Sequence, residues 1–229
     1  MTDLTLLYYS AHSLPEYCED NIRQELIKTV AGKYPIISVT QKPIRLGTNI
    51  CVGDIGKSHY NCYKQIFTGT KYIKTKYVAL VEDDTLYNLE HFSFRPTSDD
   101  IFFFNSNMMF LEDKKFWHKG QTGMFACIVN TQLLRKVLSE RFEKFPTEPL
   151  PRRSQRHYWQ EPGRDDRLGF VKQNVQYFST RVALVTLNYY NALDGKKKSS
   201  THQPMVETEV EFWGKADVLK KKLWGEVKK

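Results

Sequence analysis

Three consecutive carboxylates form the part of this sequence best suited to chemistry. Glu82, Asp83 and Asp84 directly follow the apolar run of residues 78–81. In open α/β sheets, ligands bind beyond the carboxyl ends of the strands. Adjacent carboxylates repel one another and stay ionised together only beside a positive charge. Mg²⁺ or Mn²⁺ is the expected partner, and the ion would in turn hold a diphosphate. A solvated acidic turn is the alternative.

Arginines mixed with aromatic side chains mark a second candidate segment, residues 150–168, and three lysines follow further along the chain. Arginine interleaved with aromatics suits phosphate contact combined with base stacking. The alternatives are a solvated surface and, for the tryptophan, a place in the core. The residues predicted to contact a nucleic-acid acceptor are Arg152, Arg153, Arg156, Trp159, Lys196 and Lys197.

The composition is that of a folded, basic protein. The chain has 229 residues, 41% of them hydrophobic, which excludes global disorder. Its formal net charge of +8 would attract polyanions such as nucleic acid, anionic lipid or acidic glycans. A basic surface without a partner explains the charge equally well.

The cysteines and the apolar segments indicate a cytoplasmic protein. Cys18, Cys51, Cys62 and Cys127 form neither a Cys-x-x-Cys pair nor a cluster with zinc-site spacing. We therefore expect a reducing compartment. The first residues lack the pattern of a signal peptide, and no stretch approaches the roughly 20 apolar residues that span a bilayer. Stable membrane insertion is not expected.

Hydrophobic periodicity predicts that the chain begins with a parallel βαβ unit and continues with further strands and helices. Residues 41–56 are predicted to be a loop, and residues 145–166 a long loop or lid. The predicted strands are residues 4–9, 35–40, 77–81, 101–104, 124–129 and 181–187. The predicted helices are residues 16–31, 59–72 and 131–142, with an amphipathic helix within 215–229. These elements predict one α/β domain with a mixed sheet flanked by helices.

Residues 57–87 resemble the first half of a GT-A glycosyltransferase. They begin Lys-Ser-His-Tyr-Asn-Cys-Tyr-Lys-Gln-Ile and end Tyr-Val-Ala-Leu-Val-Glu-Asp-Asp-Thr-Leu-Tyr. The similarity covers residues 4–130 well and the remainder loosely. It implies a GT-A-like, Rossmann-type domain over residues 1–229 and a UDP-sugar donor. Residues 1–110 would form the nucleotide-sugar half, and residues 111–229, with the C-terminal helix, the acceptor half.

The resemblance also implies roles for the acidic triplet. Glu82-x-Asp84 differs by one methylene from the family's Asp-x-Asp motif. Asp84 would bind the metal directly, while Glu82 or Asp83 would face the ribose or the metal's waters. Many members add a late histidine to the metal shell, and His202 is the candidate here, with a surface histidine as the alternative.

Two further pairs of residues would bind the donor by this resemblance. Ser10 and His12 follow the first strand, where the family places its nucleobase pocket. Lys57 and Ser58 precede the next helix, and Lys57 could contact the diphosphate. Gly56-Lys57-Ser58 is not a P-loop, because Cys51 occupies the position of that motif's first glycine.

The catalytic base is expected in the acidic segment of residues 161–166. Inverting GT-A enzymes use a carboxylate from the second half to deprotonate the acceptor hydroxyl, and Asp165 and Asp166 are the candidates by chain order. A surface network of Arg164 and Arg167 with these aspartates is the alternative. A retaining enzyme would need no such base.

Small soluble enzymes of phage origin that glycosylate hydroxymethylated DNA bases are similar in size, charge and lack of an anchor. They imply a duplex DNA acceptor, with a 5-hydroxymethylated pyrimidine such as 5-hydroxymethylcytosine flipped out of the helix, and a location in the cytoplasm of an infected host. A bacterial glycan or lipopolysaccharide is the rival acceptor. Two alternatives belong to other functional classes: a magnesium-dependent nuclease and a non-catalytic nucleic-acid-binding module.

Overall fold

Strands and helices alternate through the first half of the chain, as the hydrophobic pattern predicts. The computed structural model describes residues 2–118, 123–148, 161–163, 171–193 and 206–225. The helices are α1 Glu16–Val30, α2 His59–Thr70, α3 Leu89–Ser93, α4 Thr131–Lys144 and α5 Ala216–Trp224, with a 3₁₀ turn at Met124–Ala126. The strands are β1 Leu4–Ser10, β2 Ile36–Thr40, β3 Thr48–Cys51, β4 Tyr77–Glu82, β5 Thr85–Leu86, β6 Ile101–Asn105, β7 Met108–Leu111, β8 Phe116–His118, β9 Cys127–Asn130, β10 Asn174–Phe178, β11 Leu184–Leu187, β12 Val206–Glu207, β13 Glu209–Val210 and β14 Gly214–Lys215.

A seven-stranded mixed sheet, in the order β10-β6-β9-β4-β1-β2-β3, forms the centre of the fold. The strands β4, β1, β2 and β3 are parallel neighbours. The chain moves outward from β1 to β2 and β3, and then returns to the other side of β1 to form β4. The strand order therefore reverses between β1 and β4. Such a switch point leaves a crevice beyond the carboxyl ends of the two strands.

Two parts of this sheet differ from the sequence prediction. The segment predicted as a loop over residues 41–56 contains the edge strand β3, which is only half covered and so lacks a clear apolar pattern. The strand predicted over 124–129 begins as a 3₁₀ turn and becomes β9, which runs antiparallel between β4 and β6. The local hydrophobic pattern shows neither the direction in which a strand such as β9 pairs nor the presence of a short, exposed edge strand such as β3.

A second, five-stranded sheet in the order β12-β8-β7-β11-β5 was not anticipated. Its strands have two to four residues, too few to display a repeat. The sheet matters for the site, because β5 follows the acidic triplet directly and pairs antiparallel with β11. Thr186, 102 positions later in the chain, is thereby brought beside Asp84.

Helix α2 lies unusually close to the sheet because its residue 69 is glycine. A Cβ at Gly69 would come within 2.2 Å of Leu7 Cδ1 and 3.0 Å of Val39 Cγ2. This close approach places the C-terminal end of α2 against β1 and β2.

The described residues form a single α/β domain, as the sequence predicts. Strands from both 1–110 and 111–229 share each of the two larger sheets. The division into a donor half and an acceptor half therefore remains a prediction about function. Within the described ranges, no helix is long and apolar enough to cross a membrane.

Candidate functional site

The switch point between β1 and β4 brings the predicted donor residues together. The two strands pair in parallel, with Tyr9 opposite Glu82. Ser10 ends β1, and Asp83 and Asp84 follow the end of β4. These side chains therefore meet at one edge of the sheet, where open α/β sheets bind their ligands.

Glu82 is held by a tyrosine of the neighbouring strand. The Tyr9 hydroxyl donates a hydrogen bond to Glu82 Oε1 at 2.6 Å. The Glu82 backbone N–H donates to the Tyr87 hydroxyl at 3.0 Å, and that hydroxyl donates to the Phe125 carbonyl at 3.0 Å. The end of β4 is thus fixed by two tyrosines, neither of which the sequence singled out.

Asp83 is buried and is paired with Ser10. The Ser10 hydroxyl donates a hydrogen bond to Asp83 Oδ2. Burial raises the pKa of Asp83 well above its usual value, the neighbouring Asp84 and Glu19 raise it further, and the Ser10 hydrogen bond opposes the shift. A carboxyl group in these surroundings favours its protonated form.

Glu82 and Asp83 have different surroundings on the two sides of the sheet. Glu82 bonds Tyr9, whose ring packs on the α2 side of the sheet, whereas Asp83 bonds Ser10 and lies near Glu19 of α1. Successive residues of a strand point to opposite faces of the sheet, and this separates the side chains of Glu82 and Asp83. Hydroxyl groups of β1 bond the first two carboxyl groups, and the predicted role of the triplet in metal binding stays a prediction.

Asp84 stands between the two large sheets. The Thr85 hydroxyl donates to Asp84 Oδ1 at 2.9 Å, and the Thr186 hydroxyl of β11 lies 3.4 Å from the same oxygen. The Leu187 backbone N–H donates to the Asp84 carbonyl at 2.9 Å. Asp84 is half-buried.

Lys57 lies near the acidic edge, on a loop that is tied down. Burial lowers the pKa of Lys57, while Asp83 and Asp84 oppose that shift, which places the ammonium group within electrostatic range of both carboxylates. The side chain of Gln41 holds the loop, because its Nε2 donates to the Gly56 carbonyl at 2.9 Å and its Oε1 accepts from Ile55 N–H at 3.2 Å.

Ser58 has a structural role at the N-terminus of α2. Its hydroxyl accepts a hydrogen bond from Asn61 N–H at 3.1 Å and caps the N-terminus of α2. A direct contact of Ser58 with the donor remains a prediction.

His12 is engaged through both ring nitrogens. Nδ1 lies 2.8 Å from Glu19 Oε2, and Lys42 N–H donates to Nε2 at 3.3 Å. Both ring nitrogens of His12 are thus bonded to protein groups, and its place in a nucleobase pocket stays a prediction.

Two tyrosines that sequence reasoning did not select, Tyr189 and Tyr63, have pKa values that are raised by burial and by acidic residues. Burial and the nearby Asp84 raise the pKa of the Tyr189 hydroxyl, and a hydrogen bond from Ser13 opposes the shift. Burial and the nearby Glu161 likewise raise the pKa of Tyr63 on α2. Glu161 begins the acidic segment that contains the predicted base. Its place in that segment is the sequence signal that could have drawn attention to it. Tyr189 follows a strand end, which by itself is a weak signal.

The remaining predicted site residues fall outside the described ranges. They are Asp165, Asp166, His202, Arg152, Arg153, Arg156, Trp159, Lys196 and Lys197. Their proposed roles in base catalysis, metal binding and acceptor binding stay predictions.

A metal at this edge would need oxygen donors from the substrate as well as from the protein. Among the described residues, no group of three His, Cys, Asp or Glu side chains could hold a metal ion. Mg²⁺, however, is usually bound through one or two carboxylates together with substrate phosphates and waters. Asp84, which is bonded by the hydroxyls of Thr85 and Thr186, could supply one such carboxylate.

Sequence comparison identifies no relatives of this chain. No protein-family model matches it, and no curated protein matches it.

Solved structures with a similar arrangement share about one residue in ten with it. A glycosyltransferase involved in the glycosylation of the major capsid of PBCV-1 has 10% identity and a TM-score of 0.45, over 81% of this chain and 92% of that one. S. aureus TarS in complex with UDP-GlcNAc has 9% identity and a TM-score of 0.44, over 88% and 60%. The inositol-1-phosphate CTP transferase from T. maritima has 10% identity and a TM-score of 0.46, over 81% and 89%. TM-scores of this size do not establish a family for this chain.

Proposed function

We propose that this chain is a glycosyltransferase that moves a hexose from a UDP-sugar to a hydroxyl acceptor. One observation carries the proposal: Ser10 bonds Asp83 beyond the carboxyl ends of β1 and β4, at the switch point of the sheet, with Asp84 next along the chain. Such a crevice suits a nucleotide, with its base and its phosphates distributed along the strand ends. A half-buried lysine beside it suits a diphosphate.

The transfer is a substitution at the anomeric carbon of the sugar. The acceptor oxygen forms a bond to that carbon, the bond from carbon to the diphosphate oxygen breaks, and the UDP leaves with the electron pair. Lys57 would stabilise the negative charge that develops on the leaving diphosphate. A base would take the acceptor proton.

Metal dependence is part of this proposal. Asp84, with Glu82 and His202 as the further predicted ligands, would help to hold Mn²⁺ or Mg²⁺, and a bound ion would supply positive charge at the diphosphate. The Glu82 hydrogen bond to Tyr9 makes Glu82 better placed to fix the end of β4 than to bind the ion directly. Asp84 is therefore the main protein ligand in this proposal.

Residues of the second half would supply the base and the acceptor surface. Asp165 and Asp166 are the proposed bases, and Glu161, in the same acidic segment, is a further candidate. The proposed acceptor is a 5-hydroxymethylated pyrimidine in duplex DNA. It would be contacted by the arginines of residues 150–168 and the lysine run at 196–198, because their charge suits phosphate contacts.

A panel experiment tests donor and acceptor together. The protein is incubated with UDP-glucose, UDP-galactose or UDP-GlcNAc, with and without Mn²⁺, and with hydroxymethylcytosine DNA or a bacterial glycan. Nucleoside mass spectrometry reads the DNA arm. We expect a mass increase of one hexose on the modified base only when Mn²⁺ and the right donor are present. Transfer to the glycan alone would keep the glycosyltransferase and replace the acceptor. Absence of UDP-sugar binding by calorimetry would contradict the whole proposal.

A further inference from the structure

His12 adopts a backbone conformation that histidine rarely occupies. Its φ is +53°, in the left-handed region, where a side chain with a Cβ is strained. The turn is kept in place by the His12 backbone N–H, which donates to the Ser10 hydroxyl at 2.9 Å. Ser10 in turn bonds Asp83, so the turn is anchored to the acidic edge.

The His12 ring connects two loops that the sheet leaves separate. Because Lys42 N–H donates to Nε2 at 3.3 Å, Nε2 must be the unprotonated nitrogen. Nδ1 then carries the proton and donates to Glu19 Oε2 at 2.8 Å. Glu19 is buried and is itself held by Arg23 Nη1 at 3.3 Å. The imidazole therefore has a fixed tautomer and a fixed orientation.

The two connected loops flank the base side of the proposed donor site. β1 and β2 are adjacent and parallel, with Ser10 opposite Thr40, so the segments after them emerge side by side. The acidic edge lies on the other side of β1, at the end of β4, where the diphosphate is proposed to sit. The nucleobase would then lie toward the loops after β1 and β2, whose spacing the His12 ring sets.

We propose that His12 is a positioning residue that sets the width of the nucleobase slot by tying the loop after β1 to the loop after β2. The inference rests on the proposed nucleotide-sugar donor. It changes the role of His12 from a direct ligand contact to a bridge. His12 acts on the base end of the donor and leaves the diphosphate end unaffected.

The His12→Gly variant removes the bridge and keeps the turn, because glycine readily adopts positive φ. The matched control is Ala31→Gly, since Ala31 has a φ of +45° at the exposed end of α1, away from the site. Calorimetry with the full chain and Mn²⁺ measures the Kd of UDP and, separately, of inorganic diphosphate. Melting curves check that each variant is folded.

We expect His12→Gly to weaken UDP binding on the order of tenfold, as for the loss of about one hydrogen bond. Its affinity for inorganic diphosphate and both affinities of Ala31→Gly should match the wild type. If His12→Gly does not fold, His12→Asn replaces it, because asparagine tolerates the left-handed region and is too short to span both partners.

Two results would overturn the role of His12. One is unchanged UDP affinity in the variant, and the other is an equal loss for UDP and inorganic diphosphate, which would indicate general disruption of the site. Failure of the wild type to bind UDP is a different outcome, because it would remove the proposed donor itself.

Discussion

The Tyr9 hydroxyl donates a hydrogen bond to Glu82 Oε1 at 2.6 Å, across two parallel strands in which the residues are direct partners. The next residue on each strand repeats the arrangement, because Ser10 bonds Asp83. Two hydroxyls of β1 thus occupy the first two carboxyl groups of the acidic triplet. Asp84 is bonded by the hydroxyls of Thr85 and Thr186 instead, and it is the triplet member predicted to bind the metal.

Replacing Asp84 should abolish turnover. Asp84→Asn keeps the shape of the side chain and removes the charge that would hold a divalent ion. We expect a loss of activity and a higher Mn²⁺ requirement in steady-state assays, with an unchanged melting temperature in the apo protein. The control is Asp113→Asn at an exposed position, which should be neutral. Full activity of the wild type in excess chelator would disprove metal dependence.

Replacing Lys57 should weaken binding of the donor diphosphate. Lys57→Gln removes a half-buried positive charge near Asp83 and Asp84. Hydrogen bonds to charged groups contribute about 1.5–3 kcal/mol, so UDP and inorganic diphosphate should both bind roughly ten- to a hundredfold more weakly by calorimetry. Lys74→Gln, at an exposed lysine, serves as the control. Unchanged affinities would show that Lys57 does not contact the phosphates.

One carboxylate of the segment 161–166 should be essential for turnover. The variants Glu161→Gln, Asp165→Ala and Asp166→Ala are compared in single-turnover assays. Loss of the catalytic base should reduce kcat by on the order of 10²-fold or more. Binding of the UDP-sugar should persist, because Asp84 and Lys57 are unchanged. Normal turnover in all three variants would point to a retaining mechanism or to a base elsewhere.

The basic segment should control binding to duplex DNA. Each phosphate contact contributes roughly 0.9 to the slope of log affinity against log salt. Changing Arg152, Arg153 and Arg156 to glutamate should therefore weaken DNA binding and flatten that slope in gel-shift titrations at two salt concentrations. UDP-sugar affinity should be unchanged.

An aromatic variant separates base flipping from phosphate contact. Trp159→Ala should lower turnover on DNA with little effect on the salt slope, if the ring fills the gap left by a flipped base. Salt-independent or undetectable binding by the wild type to plain and hydroxymethylated duplexes would exclude DNA as the acceptor.

Stability should fall in acid because of a buried histidine. Burial lowers the pKa of His91 to about 3, against an ordinary value of about 6.5 in the unfolded chain. The folded state therefore binds fewer protons than the unfolded state, and this contribution to stability is present above about pH 6.5 and lost as pH falls toward 3. The loss approaches about 1.4 kcal/mol per pH unit.

The His91→Phe variant tests this dependence. It keeps a ring against Phe92 and Phe178 and removes the titrating group, at the expense of the contact with Asn105. Urea unfolding at pH 7.5, 5.5 and 4.5 should show a smaller decline in the variant than in the wild type. Parallel declines would mean that other groups dominate acid unfolding.

The sequence was sufficient for the elements that carry a repeat. β1, α1, β2, α2 and β4 lie within one or two residues of their predicted bounds, because each has an apolar pattern long enough to recognise. The placement of the acidic triplet at the end of a buried strand followed from the same pattern, and so did the mixed α/β class.

The tertiary structure alone decided how the triplet is used and what surrounds it. Glu82 and Asp83 are separated because consecutive side chains leave a strand on opposite faces, and their hydroxyl partners come from β1, more than 70 residues earlier. Thr186 reaches Asp84 because β11 pairs with β5 in a sheet of strands too short to show periodicity. Local sequence encodes strand formation, whereas partner, direction and face depend on the long-range packing of the whole chain.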